Sequence, residues 1–230
     1  MWQTPRMIQS VRVVGTGRAG SAIAARLAER GVKVRAGREA VADSDLVLIA
    51  VPDAAIAGVA GRIPPGPWVA HVSGATSLRA LEPHTRRFSV HPLQTLTRDR
   101  GPEQLDGAWA AVTAESDEAR ELARWLADQL GLHPFDLADA DKPLYHAGAV
   151  MASNFLVTLY RAAARLLVES GAPPEALIPL MTRTIENGFA LTGPIARGDW
   201  STVEAHLRAL EERAPDLVPL YRALAEATRP

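Results

Sequence analysis

Residues 11–31 read VRVVGTGRAGSAIAARLAERG, and this stretch decides the fold. It joins a short apolar run, a glycine-rich turn and a segment with Ile23 and Leu27 at helical spacing, and Gly31 is placed to end the helix. The turn, residues 15–20, is a complete G-x-G-x-x-G. Because it follows a strand pattern and opens a helix pattern, it predicts a dinucleotide-binding loop rather than an ordinary glycine-rich turn.

Each glycine of this turn has an expected task. Gly15 permits the tight turn, Gly17 lets a pyrophosphate approach the backbone, and Gly20 lets the helix pack close to the strand. The free N–H groups and the positive end of the helix then face the phosphates. The cofactor-binding residues expected in the turn are Gly15, Thr16, Gly17, Arg18, Ala19 and Gly20.

Strand and helix patterns continue to alternate along the first 138 residues. Residues 45–51, DLVLIAV, are typical of a strand buried on both faces of a parallel sheet. The alternation predicts an α/β fold with a Rossmann-type doubly wound, mostly parallel sheet. No strand pattern follows residue 137, and residues 139–171 can form one helix of about 30 residues. We therefore expect a nucleotide-binding domain over residues 1–138 and a smaller all-α domain over residues 139–230. Within the latter, the S-x-x-E pattern of residues 201–204 predicts a helix start.

The composition limits the function. The 230 residues are 47% hydrophobic and 22% charged, which is typical of a globular protein. A net charge of −1 gives no bulk attraction to nucleic acids or anionic membranes. The absence of cysteine excludes disulfides and thiolate chemistry, so a redox reaction needs an organic cofactor. The histidines show no metal-ligand spacing, and we expect no metal. The N-terminal segment carries no apolar run of signal-peptide length, which predicts a cytoplasmic protein.

Two arginines bear on the cofactor. Arg35 and Arg38 stand where an NAD site normally places a carboxylate, about 20 residues after the loop. A guanidinium can bind a 2′-phosphate, which favours NADP over NAD. Two alternatives stay open: both arginines belong to a solvated turn, or Glu39 points inward and reverses the preference.

Ends of predicted strands supply further candidates. Val51, Pro52 and Ser73 are expected to face the nicotinamide half of the cofactor, because ligands of such sheets lie over the carboxyl ends of the strands. His91 ends another extended segment and is a candidate proton donor, since its side chain titrates near neutral pH. The alternatives are plain strand termination and a structural histidine.

The long helix carries a polar stripe. Lys142, His146, Val150 and Asn154 recur every four residues and share one face. On that face His146, or else Lys142, is expected to protonate a substrate while Asn154 orients it. The alternative is that Lys142 lies in an exposed first turn and His146 is a structural interface residue. Lys142 stands out because the chain has only one other lysine, Lys33.

A loop between helices offers a substrate anchor. Thr192, Arg197 and Asp199 lie in the Gly/Pro-bounded string LTGPIARGD. A rigid loop that presents an arginine is suited to a substrate carboxylate or phosphate. Alternatively, Asp199 caps the following helix and Arg197 bonds to helix ends.

Several strings resemble known families. GTGRAG, DLVLIAVPDAAI, HVSGA and HPLQTL resemble the 6-phosphogluconate dehydrogenase-like superfamily, which includes pyrroline-5-carboxylate reductases and F420-dependent NADP oxidoreductases. LYHAGAVMASNF and LTGPIARGD resemble Rossmann-like proteins with the DUF2520 helical domain. The resemblance implies a nicotinamide site, a dimerising helical domain and a substrate cleft. One departure is that only about ten residues separate VKVR from DLVLIAV, which predicts a sheet truncated at that edge.

These observations favour a homodimeric NADP-dependent oxidoreductase that moves hydride between nicotinamide and a small polar, anionic carbonyl or imine substrate. Two alternatives stay open. One is a non-catalytic dinucleotide-binding sensor or partner-binding protein on the same fold. The other is an F420-linked NADP oxidoreductase.

Overall fold

The computed structural model describes residues 8–229. Its core is a seven-stranded sheet in the order β2-β1-β3-β4-β5-β6-β7. Neighbouring strands are parallel except β5 and β6, which are antiparallel. The expected α/β, mostly parallel architecture is therefore confirmed. The strands are β1 Ser10–Val14, β2 Lys33–Gly37, β3 Leu46–Ile49, β4 Trp68–His71, β5 Arg87–Leu93, β6 Trp109–Ala114 and β7 His133–Asp136.

Helices cover both faces of this sheet. The helices of the first part are α1 Arg18–Glu29, α2 Asp53–Ala60 and α3 Asp117–Gln129. One apolar cluster joins α1 and α3 to one face, and a second joins α2 to the other. All four residues of β3 are 0% exposed, which confirms that the run at 45–51 contains a strand buried on both faces.

The sheet ends at β2. Its hydrogen-bonded neighbour is β1, and β2 begins the strand order. Between Gly37 and Leu46 the chain forms neither a helix nor a strand, so the truncated edge expected from the short connection is confirmed. A doubly wound sheet can place a helix and a further strand at this point.

Beyond the sheet the chain is helical. The remaining helices are α4 Lys142–Val150, α5 Leu156–Glu169, α6 Leu177–Glu186, α7 Trp200–Arg213 and α8 Val218–Ala227. A π-helical turn, Met151–Phe155, joins α4 to α5. The long helix expected over residues 139–171 therefore forms, with a wider turn at its middle. In the described part of the chain no helix is long and apolar enough to cross a bilayer.

The chain divides into two compact units, the first ending at Met151 and the second beginning at Ala152. The domain boundary expected at residues 138–139 stays a prediction.

The helix start predicted from the S-x-x-E pattern of residues 201–204 is wrong. Helix α7 begins at Trp200, and the residue that caps it is Asp199. The Asp199 Oδ1 atom accepts a hydrogen bond from the Thr202 backbone N–H at 3.2 Å. Ser201 cannot be the cap because it already lies inside the helix, where its hydroxyl donates to Asp199 at 2.9 Å. Asp and Ser are both favoured helix N-caps, so residue type does not select between Asp199 and Ser201. The Asp199 carboxylate is the group that reaches the first turn of α7.

Candidate functional site

The glycine loop has the geometry that a phosphate cradle needs. Gly15 has φ +124°, and a Cβ on it would clash with the Ala50 carbonyl oxygen. A Cβ on Gly20 would clash with the carbonyl oxygen of Gly15. A Cβ on Gly17 would meet no atom within 4 Å. Packing thus requires two of the glycines, while the third faces open space.

The start of α1 is open to an anion. Gly17 is its N-cap and supplies no side-chain hydrogen bond, and the first turn holds no acidic residue. The first backbone N–H groups of a helix lack intrahelical acceptors, and the helix end carries partial positive charge. With Thr16 and Arg18 exposed on the same turn, the residues fit the pyrophosphate of a dinucleotide. Val51 is close by, since its Cγ1 would lie 3.4 Å from a Cβ on Gly15.

At the truncated edge, Arg35 is engaged by a neighbour. Its Nη1 donates to the backbone oxygen of Asp43 at 2.8 Å and to the Asp43 Oδ2 atom at 2.9 Å. Arg12 holds the same carboxylate through two hydrogen bonds of 2.6 Å, and this contact keeps the pKa of Asp43 well below its usual range. Arg38 is exposed. Of the two arginines expected to favour NADP, Arg38 is the one whose guanidinium has no ion pair with another described residue.

Two imidazoles meet at the carboxyl edge of the sheet. His91 comes from β5 and His146 from α4, and their rings lie edge to face with centroids 5.8 Å apart. Both touch Gly74, which follows β4: a Cβ there would lie 2.7 Å from His91 Cε1 and 2.8 Å from His146 Nδ1. A glycine at this position is therefore what allows the two rings to converge.

A tyrosine completes this group. The Tyr145 hydroxyl lies 2.8 Å from His91 Nδ1. Burial, and to a smaller extent the nearby His146 and Lys142, lower the pKa of His91 to about 4 against the opposing effect of Asp53. His91 is therefore neutral at pH 7. Burial raises the pKa of Tyr145 to about 12. His146 Nδ1 is buried and has no hydrogen-bond partner within residues 8–229.

Lys142 lies beneath this group and is only 2% exposed, so the alternative of an exposed first turn is wrong. Its ammonium donates to Ser89 Oγ at 2.8 Å, to the Thr76 carbonyl oxygen at 3.0 Å and to the Ser73 carbonyl oxygen at 3.4 Å. Burial lowers the pKa of Lys142 to about 8, against the opposing effect of Asp139 and Asp53. Three acceptors use all three N–H groups. Lys142 is thus placed to hold the turn after β4.

That turn is a network of short polar contacts. His71 is 0% exposed, and its Nδ1 accepts from the Ser73 backbone N–H at 3.1 Å. The Ser73 hydroxyl donates to Thr76 Oγ1 at 2.9 Å and accepts from the backbone N–H groups of residues 75 and 76. The expected residues His91, His146, Lys142 and Ser73 therefore come together. Sequence reasoning missed Tyr145 and His71, although each lies one or two positions from an expected site residue.

The other expected residues lie elsewhere. Pro52 is the N-cap of α2. Asn154 belongs to the second unit, on the π-helical turn, where its carbonyl oxygen accepts from Thr158 Oγ1 at 3.3 Å. A π turn holds more residues than an α turn, so the four-residue stripe keeps its phase only up to Val150. The catalytic role of Asn154 stays a prediction.

The expected substrate anchor forms a compact loop of its own. The Arg197 guanidinium donates to the Thr192 carbonyl oxygen, and Asp199 caps α7. The structure thus agrees with the alternative that Asp199 caps the following helix. Substrate binding by Thr192, Arg197 and Asp199 stays a prediction.

Solved structures similar to this chain share its fold. BF3122 from Bacteroides fragilis, provisionally named an NADP oxidoreductase, matches with a TM-score of 0.80 at 20% identity, over 96% of this chain and 97% of its own. TM1727 from Thermotoga maritima matches with a TM-score of 0.69 at 25% identity, over 94% and 98%. The 1-pyrroline-5-carboxylate reductase of Streptococcus pyogenes matches with a TM-score of 0.60 at 17% identity, over 95% and 96%. No curated protein matches the sequence.

Two family models match the chain. A Rossmann-like domain covers residues 32–95. The domain of unknown function DUF2520 covers residues 108–228, which is more than half of the chain. The chain therefore belongs to the DUF2520 family, with a Rossmann-like domain preceding its helical part.

Proposed function

We propose that this protein is an NADP-dependent oxidoreductase that transfers hydride between the nicotinamide and a small polar, anionic carbonyl or imine compound. One observation carries the proposal. A glycine cradle at the start of α1 and a partly buried group of two imidazoles and a phenol both lie at carboxyl ends of strands of one sheet. Ligands of doubly wound sheets bind at that edge.

The cradle is suited to the phosphates of the cofactor. The turn at residues 15–20 would hold the pyrophosphate, and Val51, Pro52 and Ser73 would lie toward the nicotinamide half. Arg38 is free to bind a 2′-phosphate. A bound nicotinamide would supply the hydride, which no amino-acid side chain can provide. The names of two similar structures, a provisionally named NADP oxidoreductase and a pyrroline-5-carboxylate reductase, support the same class of reaction.

The imidazoles and the phenol can move a proton. His146 Nδ1 is a buried polar atom with no hydrogen-bond partner in the described part of the chain. We assign the His146 imidazole to proton transfer with the substrate oxygen or nitrogen. His91 and Tyr145 share a 2.8 Å hydrogen bond through which a proton can pass in either direction. Lys142 is a positioning residue, since its ammonium fixes the turn that carries Gly74.

Residues of the second unit complete the proposal. Asn154 is assigned to orienting the substrate. Arg197, with Thr192 and Asp199, is assigned to its anionic group, because the guanidinium is presented by a loop that its own hydrogen bond closes.

We further propose that two copies associate through the helical domain predicted over residues 139–230. The second unit buries few apolar side chains, namely Leu177, Val203, Leu210 and Ala214. Many large apolar side chains of the unit are at least 40% exposed, among them Phe155, Val157, Val168, Ile178, Leu180, Ile185, Phe189 and Leu191. An apolar surface of this kind marks an interaction site. Size-exclusion chromatography at micromolar concentration should give a dimer, and a monomer would contradict this assignment.

The cofactor is tested first. NADPH and NADH are titrated against the protein by the change in nicotinamide fluorescence. We expect tighter binding of NADPH. If neither binds at millimolar concentration, the proposed function is wrong.

Turnover is tested next with a panel of small keto acids, aldehydes and cyclic imines, followed by NADPH oxidation. His146→Ala and Asn154→Ala should lower kcat much more than they weaken NADPH binding. Tyr145→Phe should do the same, and Tyr160→Phe on α5 is its matched control. Variants that weaken NADPH binding but leave kcat unchanged would reassign these side chains to structure. Binding without turnover of any compound would instead favour a non-catalytic sensor.

A further inference from the structure

A cavity of about 320 Å³ is lined in part by Thr16 and Arg18 of the glycine loop and by none of the residues His91, His146, Tyr145 and Gly74. One wall is the flank of α1, from Arg18 to Ala25. The other wall is the loop after β5, where the lining residues are Thr97, Arg98, Arg100, Gly101 and Pro102. A helix rises 1.5 Å per residue, so the cavity runs on the order of 10 Å along α1 from its first residue.

The lining is positively charged. Arg18, Arg98 and Arg100 contribute to it, with the hydroxyl-bearing Thr16, Ser21 and Thr97, and no acidic residue is among the lining residues. This is a local excess, because the whole chain has a net charge of −1. We call this cavity the arginine cleft.

The guanidinium groups of the cleft form few ion pairs with carboxylates of the described residues. Arg18 and Arg98 form no ion pair with any residue in the described range 8–229. Arg100 has one at 3.8 Å with Glu103, and both side chains of that pair are more than half exposed. Such a pair contributes little. Arg100 also helps to lower the pKa of Asp99, an exposed residue that does not line the cleft. The Glu103 carboxylate is also occupied by the Gly101 backbone N–H, at 3.0 Å.

The loop wall is held rigidly by buried polar side chains. Gln104 is 6% exposed, and its Oε1 accepts from the Thr97 backbone N–H at 2.8 Å and from the Thr97 hydroxyl at 3.1 Å. Its Nε2 donates to the carbonyl oxygens of Arg100 and Gly101, both at 2.9 Å. One amide therefore closes the loop that carries two of the three arginines.

A second buried side chain ties this loop to the opposite wall. Arg26 on α1 is 9% exposed, and its Nη2 donates to the Pro102 carbonyl oxygen at 2.9 Å. The same nitrogen lies 2.8 Å from Asp106 Oδ1. The two walls are thus fixed against each other, and a preorganised site loses little entropy when a ligand binds.

We propose that the arginine cleft binds an oxyanion of the phosphate class through Arg18, Arg98 and Arg100. Guanidinium recognises phosphate by paired, charge-assisted hydrogen bonds, and three of them around a cavity free of carboxylates match a multiply charged oxyanion. Two sources carry this chemistry. One is the phosphates of the dinucleotide, and the other is a separate phosphorylated molecule bound beside it.

Inorganic pyrophosphate is the probe, and isothermal titration calorimetry measures its binding to the full chain. Arg98→Gln combined with Arg100→Gln removes two charges from the cleft and leaves the glycine loop intact. Arg30→Gln combined with Arg62→Gln is the matched control, since both are exposed and line no part of the cleft. We expect the cleft variant to bind pyrophosphate at least about tenfold more weakly, because each charge-assisted pair is worth about that factor. The control should bind as the wild type does.

Titration of NADPH with and without pyrophosphate identifies the source. If the dinucleotide supplies the phosphates, pyrophosphate competes with NADPH and the cleft variant binds NADPH more weakly. If a separate molecule supplies them, pyrophosphate binds the NADPH-loaded protein and the cleft variant keeps its NADPH affinity. Wild-type affinity for pyrophosphate in the cleft variant, or no binding of pyrophosphate at millimolar concentration, would overturn the proposal. Arginine-dependent pyrophosphate binding without any dinucleotide binding would refute the proposed function and leave this inference standing.

Discussion

The buried imidazole of His71 should make the protein sensitive to acid. His71 is 0% exposed, and burial, helped by the positive charge of Lys142, lowers its pKa to about 3 against the opposing effect of Asp139. His91 also faces it and acts in the same direction as Lys142. Between pH 6.5 and about 3 the unfolded chain binds a proton at His71 that the folded chain does not. The free energy of unfolding therefore falls as the pH falls through this window, and this contribution is fully present above it.

The size of the effect follows from the two pKa values. A difference from 6.5 to about 3 corresponds to about 5 kcal/mol when fully developed, at about 1.4 kcal/mol per pKa unit. From pH 6.5 to pH 4.5 the linkage relation gives a loss of about 2 kcal/mol from His71 alone. That is a large share of the about 5–15 kcal/mol typical of a folded protein.

His71→Asn removes the titrating group and keeps an oxygen that can accept the Ser73 backbone N–H. Urea unfolding is measured at pH 6.5 and pH 4.5 for the wild type, for His71→Asn and for His133→Asn, an exposed control on β7. We expect the wild type and the control to lose about 2 kcal/mol more than His71→Asn. Equal losses in all three proteins, or an NMR titration of His71 near pH 6.5, would refute the reasoning.

Three further variants each change a single residue. Gly17→Ala should change the free energy of unfolding by less than about 1 kcal/mol, because the added methyl group meets no protein atom. It should weaken NADPH binding at least about tenfold, because the methyl group lies where the pyrophosphate must approach. Equal NADPH affinity of the variant and the wild type in a fluorescence titration would contradict this. Lys142→Met should abolish the rise in stability from pH 8 to pH 10 expected of the wild type, because an unfolded lysine keeps the proton that the buried one loses. In NMR titrations the same variant should raise the pKa of His91, which the ammonium lowers, and an unchanged value would show that the two do not interact. Asp199→Ala should cost about 1 kcal/mol in urea unfolding by removing the cap of α7, and no loss would return the helix start to Ser201.

Local patterns in the sequence were enough to predict the parallel sheet and the glycine loop at the start of α1. Residues 11–31 predict the strand, turn and helix, because apolar spacing and glycine positions act within a few residues of each other. The run at 45–51 predicts a doubly buried strand for the same reason. The start of α7 was mistaken because Asp199 and Ser201 both fit a cap, and only the backbone geometry selects between them.

The cluster of His91, His146 and Tyr145 at the carboxyl edge of the sheet could be predicted only in part from local patterns. The sequence singled out Lys142, His146 and His91, because charged and titratable side chains are unusual next to apolar runs. It could not show that Tyr145 bonds to His91, 54 positions earlier, or that Gly74 brings the two imidazoles together. Such contacts depend on how β4, β5 and α4 pack.

By itself, the sequence determined that this chain has a mostly parallel sheet with a dinucleotide-type glycine loop, followed by helices. Only the tertiary structure showed that Lys142 is buried and donates hydrogen bonds to three acceptors. It alone also showed that Arg35 donates a hydrogen bond to Asp43 and that three arginines line a cavity beside α1. The physical reason is the range of the interactions. Helix and strand periodicity arises between neighbours along the chain, whereas burial, pKa shifts and cavities arise between side chains that the fold brings together from distant positions.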